Sequence, residues 1–145
     1  MDATMDQPVS QKEKARLHVS LALPNGGSLD EEDIALIETV QKCRSILGAS
    51  KLMGISYRKT WLMTDALNRT FETRVIDTFP GRRGGGAEVT PFGERIVAVF
   101  RSVERRSARA ATATLEELTS SLDWAFETAT SGAAREETQD LRSSA

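Results

Sequence analysis

The chain has 145 residues and a formal net charge of −2; 39% of its residues are hydrophobic and 28% are charged, which is typical of one globular domain with a short appendage. No apolar run approaches the roughly 18 residues of a membrane span, and residues 1–15 lack the apolar segment of a secretory signal, so we expect a cytoplasmic protein without membrane association. One cysteine, Cys43, excludes a disulfide framework. With one histidine, His18, it also disfavours a zinc site.

The charges are distributed unevenly along the chain. Residues 1–40 carry a net charge of −5, residues 41–83 carry +6, residues 84–109 carry +2 and residues 110–145 carry −5. A basic middle between acidic ends is typical of a surface that faces phosphate groups. Chance clustering on solvated helix faces explains the pattern equally well, so charge alone leaves nucleic-acid binding open.

A strand and a helix are predicted near the start of the chain. Apolar residues alternate with others over 16–23, which predicts a half-buried strand with His18 on its polar side. The sequence PNGG then ends the strand. Ser28 and Glu31 have the spacing of a capping box, so a first helix is predicted from about 29 to 43.

A helix-turn-helix is predicted in the middle of the chain. Ser45 is a good N-cap for a short second helix, and Gly54 ends that helix because glycine readily adopts a positive φ. Ser56 then caps a third helix over 57–71. Two helices joined by a tight glycine turn are typical of this motif, whose second helix is the recognition helix.

The third helix has a basic and aromatic first turn. Cations in this position oppose the helix macrodipole, and a DNA phosphate would relieve the conflict. The expected DNA contacts of this turn are Ser56, Tyr57, Arg58 and Lys59. A solvated helix start is the alternative. For the nearby Trp61, packing against the second helix or a partner is weighed equally with DNA contact.

A β-hairpin with a glycine-rich tip is predicted next. Extended runs at 75–79 and 87–90 flank the loop PGRRGGG at 80–86, an arrangement known as a wing. Arg82 and Arg83 are expected to contact phosphate or the minor groove, or else to keep a mobile loop soluble. No Lys-Ser/Thr pair and no helix follow the glycines at the required spacing, so a nucleotide-binding P-loop is excluded.

Two helices are predicted after the wing. Thr90 and Pro91 are typical of a helix start, and this helix is expected to end near residue 107. The small, polar segment at 108–114 is expected to be a hinge or a frayed helix. The segment 110–131 is expected to contain a C-terminal helix whose apolar seam repeats every 3.5 residues on average, as in a coiled coil. The expected dimer contacts are Leu115, Leu118, Leu122, Ala125 and Ala129. Folding back onto its own domain is the alternative for this helix.

The predicted fold is mostly α with a small β-sheet: a winged helix-turn-helix with an N-terminal strand, a three-helix core, a β-hairpin wing and C-terminal helices. The predicted domains are a disordered N-terminus at 1–14, the winged helix-turn-helix at 15–109, a dimerisation helix at 110–131 and a disordered tail at 132–145.

The sequence also resembles a known family. SILGASKLMGISYRKTW at 45–61 and GRRGGGAEVTPFG at 81–93 are similar to the N-terminal DNA-binding domain of the ModE family of molybdate-responsive regulators. The resemblance covers about residues 16–107, and the two motifs together are fairly specific. LysR-type regulators share a looser version of the scheme, including T-P-x-G after the wing.

The resemblance implies DNA binding but not oxyanion sensing. Full-length members of the family carry C-terminal molybdate-binding modules rich in β-strands, whereas residues 110–145 form a short segment predicted to be a helix and a tail. We therefore expect a stand-alone form of the DNA-binding half, without a cofactor. Whether a small-molecule effector exists is left open.

Two classes of function remain. The first is a sequence-specific transcriptional regulator that binds a palindromic operator in double-stranded DNA as a homodimer, through the recognition helix 56–71 and the wing 80–86. The alternative is a non-regulatory winged-helix module, either an architectural DNA binder or a protein–protein adaptor. Catalysis is not expected, because no nucleophile with its base, metal cluster or carboxylate pair is recognisable.

Overall fold

The structure is a computed structural model that describes residues 14–81 and 85–126. The described residues fall into two units, one formed by 16–81 with 85–110 and the other by 14–15 with 111–126. The disorder predicted at the two ends therefore falls almost entirely outside the described residues. The predicted site residues Arg82, Arg83 and Ala129 lie outside them as well.

The described residues form four strands and four longer helices. In chain order they are β1 Ser20–Ala22, β2 Ser28–Asp30, α1 Glu31–Cys43, α2 Ile46–Met53, α3 Tyr57–Thr70, β3 Ile76–Phe79, β4 Gly86–Val89 and α4 Pro91–Thr119. This mostly helical chain with little β-structure confirms the predicted fold class. The hairpin β3–β4 after the helix-turn-helix is the predicted wing.

The strands form two separate antiparallel pairs. In the first, β1 pairs with β2 and Leu21 lies opposite Leu29; in the second, β3 pairs with β4 and Ile76 lies opposite Val89. The strand predicted at 16–23 is therefore only three residues long, and its partner β2 was not predicted. A strand must pair to satisfy its backbone groups, so β1 requires a partner, and the sequence pattern did not predict β2.

The first helix begins later than predicted and has a different cap. Asp30, not Ser28, is the N-cap: its carboxylate accepts from the Asp33 N–H at 3.0 Å, and the Asp33 carboxylate accepts from the Asp30 N–H at 3.1 Å. Pairing with β1 keeps Ser28 extended, so the predicted box with Glu31 does not form. Burial raises the pKa of Asp33 to about 6.

The two later helix starts confirm the sequence prediction. The Ser45 hydroxyl accepts from the Gly48 N–H at 3.0 Å, and the Ser56 hydroxyl accepts from the Lys59 N–H at 3.0 Å. Gly54 ends α2 with a φ of +68°. These caps fix the short turn between α2 and α3 and so define the helix-turn-helix.

An apolar core holds the described residues of the larger unit together. Its fully buried larger side chains are Ile34, Leu36, Ile37, Val40, Ile46, Leu67, Val75, Ile76 and Phe100. On α3 the buried stripe also contains Thr60 and Thr64. Their hydroxyls donate to the backbone carbonyls of Ser56 at 2.9 Å and Thr60 at 2.8 Å, so the polar groups are satisfied inside the core.

The helix after the wing is continuous through 108–114, where the sequence predicted a hinge or a frayed helix, so the hinge alternative is wrong. The Thr90 hydroxyl accepts from the Gly93 N–H at 3.0 Å, as predicted for the N-cap. The helix then continues through 108–114, where four of the seven residues are alanine, the strongest helix former. It ends at Thr119, so residues 120–125 of the predicted C-terminal helix are not helical. None of the helices described here is long and apolar enough to cross a membrane.

Candidate nucleic-acid interface

The structure brings four predicted site residues together at the N-terminus of α3. All four of Ser56, Tyr57, Arg58 and Lys59 are exposed. The Ser56 hydroxyl already serves as the helix cap, and the side chain of Tyr57 is 42% exposed. The turn therefore presents a hydroxyl, a phenol and two cations on one end of a helix.

The two cations of this turn differ in their surroundings. The Lys59 ammonium lies 3.0 Å from a carboxylate oxygen of Glu32, in the first turn of α1. The conflict between a cation and the α3 dipole is thus partly relieved within the chain, which the sequence analysis did not foresee. Arg58 has no ion-pair partner among the described residues, so its guanidinium is available for an external anion.

Trp61 packs against the base of the wing. Its ring meets the Tyr57 ring edge to face, with 6.1 Å between the centroids. Both rings cover Gly85, which is buried and has a φ of +67°; a Cβ atom there would lie 3.0 Å from the Tyr57 Oη and 3.1 Å from the Trp61 Cζ2. Trp61 is therefore a packing residue between α3 and the wing.

The base of the wing is also hydrogen-bonded to the turn between α1 and α2. The Ile46 N–H donates to the Gly85 carbonyl at 2.9 Å, and the Ala87 N–H donates to the Arg44 carbonyl at 3.1 Å. Arg44 has a φ of +53°, in the left-handed region. The sequence analysis missed this connection, because no residue type or spacing signals a bridge between backbone groups about 40 residues apart.

The C-terminal end of α3 is fixed to the wing by Asn68. Its side-chain oxygen accepts from the Val75 N–H at 2.8 Å and the Ile76 N–H at 3.0 Å, and its amide nitrogen donates to the Ile76 carbonyl at 2.9 Å. Asn68 was not singled out from the sequence. The only signal was an amide side chain near the end of a helix, which is too common to be informative.

Four of the five predicted dimer contacts are described residues: Leu115 and Leu118 lie on α4, and Leu122 and Ala125 follow its end. Leu115 is half-buried, whereas Leu118 and Leu122 are 60% and 47% exposed, respectively. Ala125 is exposed and follows the helix, so the seam does not form one continuous helical stripe. Trp124 and Phe126, which follow Leu122 closely in the sequence, are also exposed. We call Leu118, Leu122, Trp124 and Phe126 the C-terminal apolar patch.

Among the described residues, no group of three or more His, Cys, Asp or Glu side chains is arranged to hold a metal ion. His18 instead forms an exposed contact with Glu31, with 3.0 Å between its Nδ1 and a carboxylate oxygen. The chemistry of the candidate interface is therefore that of exposed cations, hydroxyls and aromatic rings.

The helix-turn-helix α2–α3, the hairpin β3–β4 and the following helix α4 together define a winged-helix domain. No protein-family model matches the chain. Over 87 residues it is 36% identical to the molybdenum transport protein ModE of Azotobacter vinelandii, a match that covers 59% of this chain and 32% of that protein. Over 85 residues it is 32% identical to the molybdenum-pterin-binding protein MopB of Rhodobacter capsulatus, covering 58% and 32%.

A third relative is the transcriptional regulator ModE of Yersinia pestis, 32% identical over 88 residues, with coverage of 60% of this chain and 34% of that protein. These matches confirm the resemblance of the winged-helix domain to the ModE family. The chain spans about a third of the length of the curated relatives it matches. A solved MarR family protein from Bacillus stearothermophilus is 13% identical over 97% of this chain and 89% of its own, with a TM-score of 0.43.

Proposed function

We propose that the protein is a transcriptional regulator that binds a palindromic operator in double-stranded DNA as a homodimer. The observation that carries the proposal is the exposed, cationic start of α3 beside the base of a wing. The names of the relatives support regulation rather than catalysis: two are called ModE, and one of these is a transcriptional regulator. No molybdate binding is proposed, because the chain matches only about a third of each relative.

In this proposal α3 enters the major groove with its N-terminal end first. Arg58, which has no ion-pair partner among the described residues, donates to a guanine edge or a phosphate. Lys59 either leaves Glu32 for a phosphate or contacts both groups, and Ser56 and Tyr57 contact the DNA backbone nearby. The wing residues Arg82 and Arg83 contact phosphate or the minor groove.

The experiment begins with selection of bound sequences from a random DNA pool by the full chain, followed by anisotropy titrations. Replacing Arg58 and Lys59 together by alanine is expected to cost about 2–5 kcal/mol of binding free energy, since each good contact contributes roughly 1–3 kcal/mol. Arg109→Ala, which removes an exposed arginine of α4, is the matched control and should leave the affinity for DNA unchanged. Enrichment of no sequence, or full affinity of the double variant, would contradict the proposal.

The wing contributes mainly affinity that does not depend on sequence. Replacing Arg82 and Arg83 by alanine should lower the slope of log affinity against log salt by about one for each phosphate that the wing no longer neutralises. The preference for operator over random DNA should change less. A collapse of that preference at unchanged salt dependence would show that the wing recognises bases instead.

Two copies are required because one helix and one wing contact too few base pairs for useful specificity. We assign the contact to the predicted residues Leu115, Leu118, Leu122, Ala125 and Ala129. In support of this assignment, Leu118 and Leu122 are large apolar residues that are exposed in the single chain. Replacing both by alanine should weaken self-association in sedimentation equilibrium, whereas Leu17→Ala, at an exposed leucine outside the patch, should not. A full chain that sediments as a monomer at the concentrations that bind DNA would refute the dimer.

A further inference from the structure

One leucine of α3 occupies a position where the helix pattern requires a polar residue. Leu62 is two residues from both Thr60 and Thr64, which are fully buried, so it lies about half a turn away from the buried stripe. Its side chain is 57% exposed. An apolar residue at the centre of a solvent-facing helix surface breaks the binary pattern, and such exceptions concentrate at functional sites.

The surroundings of Leu62 are those of the proposed DNA-binding face. Arg58 lies one turn before it and Ala66 one turn after it, and both are exposed. Side chains on a helix point toward its N-terminus, so Leu62 leans toward Arg58 and away from the later turns. The charge of Asp65 is compensated by Arg69, with 3.1 Å between its carboxylate oxygen and the Arg69 Nε.

We propose that Leu62 determines part of the sequence specificity by contacting the C5 methyl group of a thymine in the major groove. The inference rests on the proposed function. A leucine side chain has no hydrogen-bonding group, so the feature of a base edge that it can distinguish is this methyl group. The location of the leucine one turn beyond Arg58 would place the thymine next to the base or phosphate that Arg58 contacts.

A DNA surface suits this face better than a second copy of the chain does. The guanidinium of Arg58 beside Leu62 has no ion-pair partner among the described residues, and two such faces in contact would bring like charges together. Phosphates on both sides of the major groove complement the same charge. The major groove of DNA is therefore the one ligand that suits both Leu62 and Arg58.

The test exchanges thymine for uracil, which removes only the methyl group. The full chain selects its preferred sequence from a random pool, and each thymine of that sequence is then replaced in turn. At one thymine per half-site, uracil should weaken binding by the wild-type chain about fourfold, the effect of one buried methyl group. Leu62→Ala should bind the thymine and uracil duplexes equally, and Leu17→Ala should behave as the wild type.

The outcomes separate this inference from the proposed function. One outcome is that the wild type selects a sequence while each uracil substitution changes the affinity of the wild type and of Leu62→Ala by the same factor. In that case the assignment of Leu62 is overturned and DNA recognition stands. If the wild type selects no sequence, both are overturned. If Leu62→Ala instead weakens self-association in sedimentation equilibrium, the occupant is a second copy and the thymine assignment is overturned. Circular dichroism checks folding, which alanine at an exposed helical position should preserve.

Discussion

The contact between Gly85 and the two aromatic rings of α3 predicts a specific loss of stability. Gly85 and Gly54 have nearly the same φ, +67° and +68°, but a Cβ at Gly54 would meet nothing within 4 Å. At Gly54, alanine therefore suffers only the strain of the left-handed conformation, about 1–2 kcal/mol. At Gly85 the Cβ would also lie 3.0 Å from the Tyr57 Oη and 3.1 Å from the Trp61 Cζ2. Such overpacking adds about 1–3 kcal/mol.

Urea unfolding followed by circular dichroism, at one protein concentration, measures both variants. Gly85→Ala should lose roughly 2–5 kcal/mol of unfolding free energy and Gly54→Ala about 1–2 kcal/mol. The effect of alanine on the unfolded chain is the same in the two variants, so it cancels in the difference. Tyr57 is partly exposed and can move, so the half-buried Trp61 decides the size of the crowding penalty. Equal losses, or a larger loss at Gly54, would refute the packing of the wing against α3.

Two further predictions concern other contacts. Because burial raises the pKa of Asp33 to about 6, the folded chain binds a proton more tightly than the unfolded chain does. The unfolding free energy of the wild type relative to that of Asp33→Asn should therefore increase as pH falls from about 7 toward 4. A difference in unfolding free energy that does not change with pH would contradict this. Asn68→Ala should lose about 2–4 kcal/mol in urea unfolding, since two backbone N–H groups and a carbonyl are left without the hydrogen bonds that its amide makes. The control, Asn25→Ala, removes two exposed hydrogen bonds, one donated to the Thr70 carbonyl and one accepted from the Gly27 N–H, and should lose less because water can replace both.

Local signals in the sequence predicted most of the fold correctly. Ser45, Gly54, Ser56 and Thr90 act on backbone groups within a few residues, so their roles follow from residue type and spacing. The error at the start of the first helix occurred because a distant partner decides the outcome there. Ser28 has the spacing of a cap, but pairing with β1 keeps it in a strand.

The hinge predicted in α4 failed for a different reason. The small, polar residues of 108–114 suggested a hinge or a frayed helix, yet no proline or glycine interrupts the segment and its alanines favour a continuous helix. The candidate site was predictable as a set of residues but not as an arrangement. The exposure of Arg58 and the Lys59–Glu32 ion pair both depend on how α1 packs beside α3.

The hydrogen bonds at the base of the wing also bear on how the domain opens. The Gly85 carbonyl accepts from Ile46, the first residue of α2, and the Arg44 carbonyl accepts from Ala87. Separating the hairpin from the helical core therefore breaks bonds on both sides of the α1–α2 turn at once. The amide protons of Ile46 and Ala87 should exchange with solvent through one shared opening event, which makes the wing base and the helix-turn-helix a single cooperative unit.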